Sequence, residues 1–193
     1  MTYQEIYKVL DPLLAEHKLE EAINWTEAEL KKMPPTDFHK IIGKNLNHLI
    51  PSLINWIDNF HERISKNITI KSIYCEMNGF TINPDLWFID LFAFDKYLGL
   101  KDLEWVSDWE DQNSTMSDSF IVTGFEDLQK KYEEDDRTDE EGQASVFCEF
   151  LIVLRLQELF MNATNKAKQG NHLWTKIPII VTAHDWELIY QTT

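Results

Sequence analysis

Residues 143–168 constrain the fold more than any other part of the chain. Val146, Phe147, Phe150, Leu151, Val153, Leu154, Leu156, Leu159 and Phe160 spread around most of a helical circumference. A helix that is apolar on all sides belongs in the middle of a fold, with other elements packed around it. Its second half, RLQELFMNATNKAKQG, favours helix, and Gly170 is a suitable stop. Residues 146–154 taken alone also read as a buried strand, because periodicity does not separate the two for a short apolar run.

The elements available to surround such a helix differ between the two parts of the chain. Residues 3–66 carry apolar side chains at spacings of three and four, with Ile6, Val9, Leu10, Leu13 and Leu14 on a first helix and Leu19, Ala22, Ile23 and Leu30 on a second. Pro12 starts or kinks a turn in the first. Pro34 and Pro35 separate this pair from a third helix capped by Thr36 or Asp37. Pro51 suits the first turn of a fourth, which carries Leu53, Ile54, Trp56, Ile57 and Phe60. With ten acids against eight bases, this layer (1–66) reads as scaffold.

From Ile68 the period changes. ITIKSIYCEM is β-branched and aromatic, and LWFIDLFAF (86–94) is its expected antiparallel partner across a connection containing Asn78-Gly79 and Asn83-Pro84. Alternation places Leu86, Phe88, Asp90, Phe92 and Phe94 on one face and Trp87, Ile89, Leu91 and Ala93 on the other, so both faces are expected to be covered. A short strand over 119–123 leads through Gly124 into a helix over 125–134. Residues 177–182 and 186–190 read as two closing strands around Ala183-His184-Asp185. The expectation is a single α+β domain over 1–193. Its N-terminal helical layer packs with a small, mostly antiparallel sheet and one long buried helix, the sheet and acidic loops lying in 67–193.

Charge is distributed very unevenly. Residues 102–111 (DLEWVSDWED) hold five acids and no base, and residues 126–141 hold nine acids against Lys130, Lys131 and Arg137. Eleven of the fifteen net negative charges therefore sit in these two stretches. Localised charge of one sign does nothing for a core, but it creates a directed potential that raises encounter with a basic partner. The same sign argues against direct nucleic-acid binding, which needs a basic stripe to displace counterions. No apolar run approaches the roughly 20 residues that span a bilayer. MTYQEIYKVL lacks a basic segment followed by an apolar one, so no secretory signal and a cytoplasmic location are expected.

Motifs for chemistry are absent. The chain has no G-x-x-x-x-G-K-[ST], no G-x-G-x-x-G after a strand and no G-x-S-x-G. Cys75 and Cys148 lie among apolar residues beside Glu76 and Glu149, a setting for reduced core thiols rather than nucleophiles. His17, His39, His48, His61 and His172 lack zinc-ligand spacing. His184-Asp185 shares only its two letters with HD-type phosphohydrolases, and 133–141 lacks the calcium-loop pattern, so no metal or cofactor is expected. Asp90 and Glu149 are carboxylates in apolar surroundings. Each is a structural group paired with Tyr74, Lys71 or Arg155, or a general acid or base working with Tyr74 or His184.

The binding candidates lie in the acidic stretches. Trp105 and Trp109, at spacing i, i+4, are placed to share one face of a turn ringed by acids, and interfaces concentrate their energy in such aromatic anchors; alternatively both indoles pack beneath the loop. Residues 133–141 of the second stretch are a solvated loop, or an arm that mimics phosphate or occupies a basic cleft. In size, acidity and lack of catalytic motifs the chain is similar to bacterial toxin-immunity proteins. That resemblance implies inhibition by occlusion of a basic toxin, such as a nuclease. Trp105 and Trp109 are then the anchors, and Asp108, Glu110, Asp111, Glu133, Glu134, Asp135 and Asp136 supply steering charge. Two alternatives stay open: a small enzyme using Asp90 or Glu149, and an adaptor subunit that docks through its N-terminal helices.

Overall fold

The computed structural model describes residues 1–134 and 138–192. Helix α5, Asp139–Gln169, is the centre of the molecule, and residues on all of its sides, including Phe147, Phe150, Leu154 and Phe160, are buried. Each such side chain contributes roughly 2 kcal/mol through removal from water. α5 begins four residues before the apolar pattern does. Thr138 caps it in a reciprocal box with Glu141, the Thr138 Oγ1 accepting from the Glu141 N–H at 3.2 Å. Asp139, Glu140 and Glu141 thus occupy the first turn, where the helix dipole favours negative charge. Of the nine acids in 126–141, five lie in helical first turns, Glu126 and Asp127 at the start of a helix over 126–132 and Asp139, Glu140 and Glu141 at the start of α5.

Around α5 pack α1 (Tyr3–Ala15), α2 (Leu19–Leu30) and α3 (Ile50–Ile64). Pro12 is accommodated within α1, which runs on to Ala15, and Pro51 lies in the first turn of α3 as its missing N–H allows. The expected third helix is only a 3-10 turn, Asp37–Ile41. There His39 receives the Thr36 N–H on Nδ1 at 3.1 Å, and its Nε2 lies 2.9 Å from the Leu30 carbonyl. Asp58 of α3 receives Trp174 Nε1 at 2.7 Å and lies 2.8 Å from His172 Nδ1, which pins the chain leaving α5. A buried ion pair joins α2 to α5: Arg155 Nη2 stands 2.7 Å from Glu27 Oε1, and Nη1 is 2.9 Å from Glu158. Of the large apolar side chains between residues 3 and 66, only Tyr3 is exposed. The helical layer therefore faces its own core, and the exposed apolar surface that would favour an adaptor docking through it is reduced to Tyr3.

The sheet has the order β3-β2-β1-β4-β5. β1 (Ser72–Met77) pairs antiparallel with β2 (Phe88–Phe94), and β2 with β3 (Phe120–Ile121). β4 (Ile179–Ala183) runs parallel to β1 and antiparallel to β5 (Tyr190–Gln191), so three of the four pairings are antiparallel. α4 (Glu126–Tyr132) follows β3 through Gly124, whose φ of 105° would strain any larger residue and whose added Cβ would press on the His48 ring. The fold is α+β, as the change of period implies.

Residues 186–189 are not a strand. Trp186 packs between Phe80 and Phe150, and Leu188 is buried in the helical core. Polar side chains hold this segment in place of ladder bonds. Thr182 Oγ1 donates to the Trp186 carbonyl at 3.1 Å, and Gln157 Nε2 donates to Val181 and Leu188 carbonyls at 3.2 and 2.9 Å. Cys75 and Cys148 are free and fully buried. Burial pushes both thiols up, Cys148 to about 12, so neither is a nucleophile.

Candidate functional site on the open sheet face

One face of the sheet, with Ile73, Cys75, Met77, Ile89 and Leu91, is sealed against the helices. The other carries two rows set by strand register. Phe92, Tyr74 and Ile180 lie side by side, and Asp90, Glu76 and Thr182 form the next row. The long β2–β3 connection folds over only part of this face and makes a small second core there. Arg63 of α3 ties the connection down, its Nη2 donating to the Ser114 carbonyl at 2.6 Å.

The two tryptophans of this connection have different fates. The 3-10 turn Glu104–Ser107 ends before residue 109, so the indoles do not share a helical face. Trp105 sits edge-on to Phe94 at 5.1 Å, donates its indole N–H to the Gly99 carbonyl at 3.1 Å and is only 6% exposed. It is core, and the expectation that it anchors a partner is corrected. Trp109 packs against Phe92 at 5.2 Å and remains 41% exposed. Asp108 is paired with Lys96 at 2.7 Å, Glu110 receives Gln112 Nε2 at 2.7 Å, and Asp111 is exposed.

Trp109 stands at a cleft of about 350 Å³, lined also by Phe88, Phe92, Met116, Glu76, Asp90 and His184. A second cleft of about 670 Å³, lined by Tyr74, residues 100–104 and residues 183–187, lies across Glu76 and His184 from the first. The divide is a hydrogen-bonded group. His184 Nδ1 is 2.9 Å from Glu76 Oε1, the Tyr74 hydroxyl donates to Glu76 Oε2 at 2.9 Å, and His184 Nε2 lies 3.6 Å from Asp185. Asp185 occupies the left-handed region (φ 61°) that turns the chain out of β4. The hydrogen bond between His184 and Glu76 raises the His184 pKa above 6.5; burial, and then Glu76, pushes the Tyr74 hydroxyl up.

Asp90 is nine-tenths buried, but not through the partners expected for it. Thr115 and Ser119 hydroxyls donate to its Oδ1 at 3.1 and 2.7 Å, while Arg155 is committed to Glu27. Glu149 is remote from this face and receives the Tyr3 hydroxyl in the helical layer. No family model, curated protein or solved structure matches this chain. Among the described residues, no group of three His, Cys, Asp or Glu side chains is placed to hold a metal, and no helix is long and apolar enough to cross a membrane.

The two acidic stretches are not brought together. Residues 102–111 lie over part of the open sheet face. Glu133 and Glu134 follow α4, whose Leu128 and Tyr132 belong to the helical core, and Glu134 is tied to Lys131 at 2.8 Å. Asp135 and Asp136 lie outside the described residues. Glu76 and Met116 were not among the expected binding residues. Alternation along SIYCEM carried a signal for Glu76, since it shares the face of Tyr74; nothing local marked Met116.

A pH effect follows from the Glu76–His184 pair. Because the folded imidazole is raised, the pair's contribution to stability is complete below about pH 6.5 and is lost as pH rises through the folded value. In an exposed pair this amounts to a few tenths of a kcal/mol. Histidine NMR titration should place the His184 midpoint above 6.5, and Glu76→Gln should return it to the ordinary range.

Proposed function

We propose that this protein binds a basic protein through the open sheet face, with Trp109 as anchor and Asp108, Glu110 and Asp111 as steering charge. The observation that carries the reading is the exposed Trp109 indole, which stands at an apolar cleft containing carboxylates, within the base-free acidic stretch. Charge brings a basic partner in, and a partly desolvated aromatic slows its departure. Glu133 and Glu134 then add to the long-range field without touching the partner. An immunity-type role, in which this face blocks the cationic cleft of a toxin such as a nuclease, suits that chemistry and the resemblance in size and acidity.

Affinity capture from the native cell at low salt, with a salt step and mass spectrometry, tests the reading. The wild-type chain should retain a stoichiometric basic protein, and Trp109→Ala should release it at least tenfold faster. Retention equal to that of the wild type, or no basic partner at any salt, would contradict the proposal. A second reading, a small enzyme, is favoured by Asp90 and His184 lining one cleft; it requires a turnover that Asp90→Asn abolishes without unfolding the chain.

A further inference from the structure

The row that crosses the cleft floor has a charge arrangement that the protein itself does not complete. Glu76 and Asp90 are direct cross-strand neighbours, an opposition of like charges that destabilises a sheet. Asp90 is nine-tenths buried, and both hydrogen bonds it receives come from neutral hydroxyls to the same oxygen, Oδ1. Its Oδ2 has no hydrogen-bond donor, and the carboxylate no basic partner, among the described residues. His184 is engaged by Glu76 and Asp185, and no Lys or Arg lines the cleft. Glu76 has His184 beside it, but Asp90 has no cation of its own among the described residues, although a largely buried carboxylate is ordinarily paired with one.

The walls restrict what that cation can be. Phe88, Phe92, Trp109 and Met116 line it with aromatic rings and a thioether, which suit a methylene stem and a flat cationic head better than a hydrated ion. A metal is disfavoured because the carboxylates and His184 do not converge on one point among the described residues. We propose that this cleft receives one arginine side chain of the basic partner, its guanidinium on Asp90 and Glu76 and its stem against Trp109 and Met116. The inference rests on the open-face binding reading and deepens it. Arginine fits better than lysine because its planar fork bridges two carboxylates, stacks on indole and sheds water more readily.

The test uses the full chain and a terminally blocked hexa-arginine peptide at low salt, followed by calorimetry and by the methyl NMR resonance of Met116. Hexa-arginine should bind and move that resonance, and hexalysine should bind at least threefold more weakly. Hexacitrulline, of the same shape without charge, should not bind. Asp90→Asn should weaken hexa-arginine at least tenfold while leaving the unfolding midpoint unchanged or higher, because the amide still accepts from Thr115 and Ser119 and the repulsion with Glu76 is gone. Glu76→Gln provides a second variant with the same expected loss. Wild-type affinity in both variants with an unmoved Met116 methyl would overturn the arginine cleft. If neutralising Asp108, Glu110 and Asp111 still weakened that binding about tenfold at low salt, the open-face reading would survive. No binding of hexa-arginine by the wild-type chain would overturn both.

Discussion

Arg155→Met is expected to lower the unfolding free energy by about 3 kcal/mol, the lower end of what breaking a buried ion pair costs. Glu27 and Arg155 are both about nine-tenths buried, and the pair joins α2 to the central helix. The lower end applies because Glu27 keeps two partners, the Gly43 N–H at 2.9 Å and Lys31 at 3.2 Å. Burial opposes ionisation of Glu27. The Gly43 N–H, Lys31 and Arg155 together overcome it and hold the carboxyl below its ordinary pKa. Its stabilisation is therefore present above the ordinary carboxylate range and lost as pH falls through the folded value, so the Arg155→Met deficit should shrink on acidification. Urea unfolding of the wild type, Arg155→Met and the double variant Glu27→Gln/Arg155→Met measures this. The double variant should regain about half the loss, since an uncharged pair leaves no stranded buried charge. No recovery would mean that Arg155 acts through packing of its stem.

The second large effect concerns association. Replacing Asp108, Glu110 and Asp111 with their amides should slow binding of the basic partner about tenfold at low salt and change dissociation much less, because rim charges act on the encounter. At ionic strengths near 1 M, where the screening length falls to about 3 Å, the variant and the wild type should converge. Stopped-flow association at several salt concentrations separates the two rates. A change confined to dissociation would place these carboxylates in close contact with the partner rather than in a steering field.

The sequence was legible where periodicity was long and both sides of an element were committed. The all-round apolar pattern of 146–160 placed α5 at the centre, and the β1–β2 pair followed from the alternation around Asp90 and the turn residues between the strands. The start of α5 was written in Thr138-x-x-Glu141, but the surrounding acids read as a solvated run and masked the cap. Trp105 and Trp109 differ by nothing local. One meets Phe94 and a backbone carbonyl, the other meets Phe92 beside a cleft, and only the tertiary path of the loop makes that difference. The Glu76–His184 pair joins residues 108 apart in the sequence and depends on the parallel β1–β4 register, which no short pattern encodes. Asp90 looked functional or paired with Tyr74, Lys71 or Arg155. Its hydroxyl partners come from the β2–β3 connection, whose course over the open face was not visible in composition.

Zero-length carboxylate–amine cross-linking of the chain in extract of its native cell, with cross-linked residues identified by mass spectrometry, tests the binding face most directly. The account expects cross-links to a basic protein concentrated on Asp108, Glu110 and Asp111 and reduced by Trp109→Ala. Cross-links concentrated on Glu133 and Glu134 or on the outer faces of α1 and α2, or none to any basic protein, would contradict it.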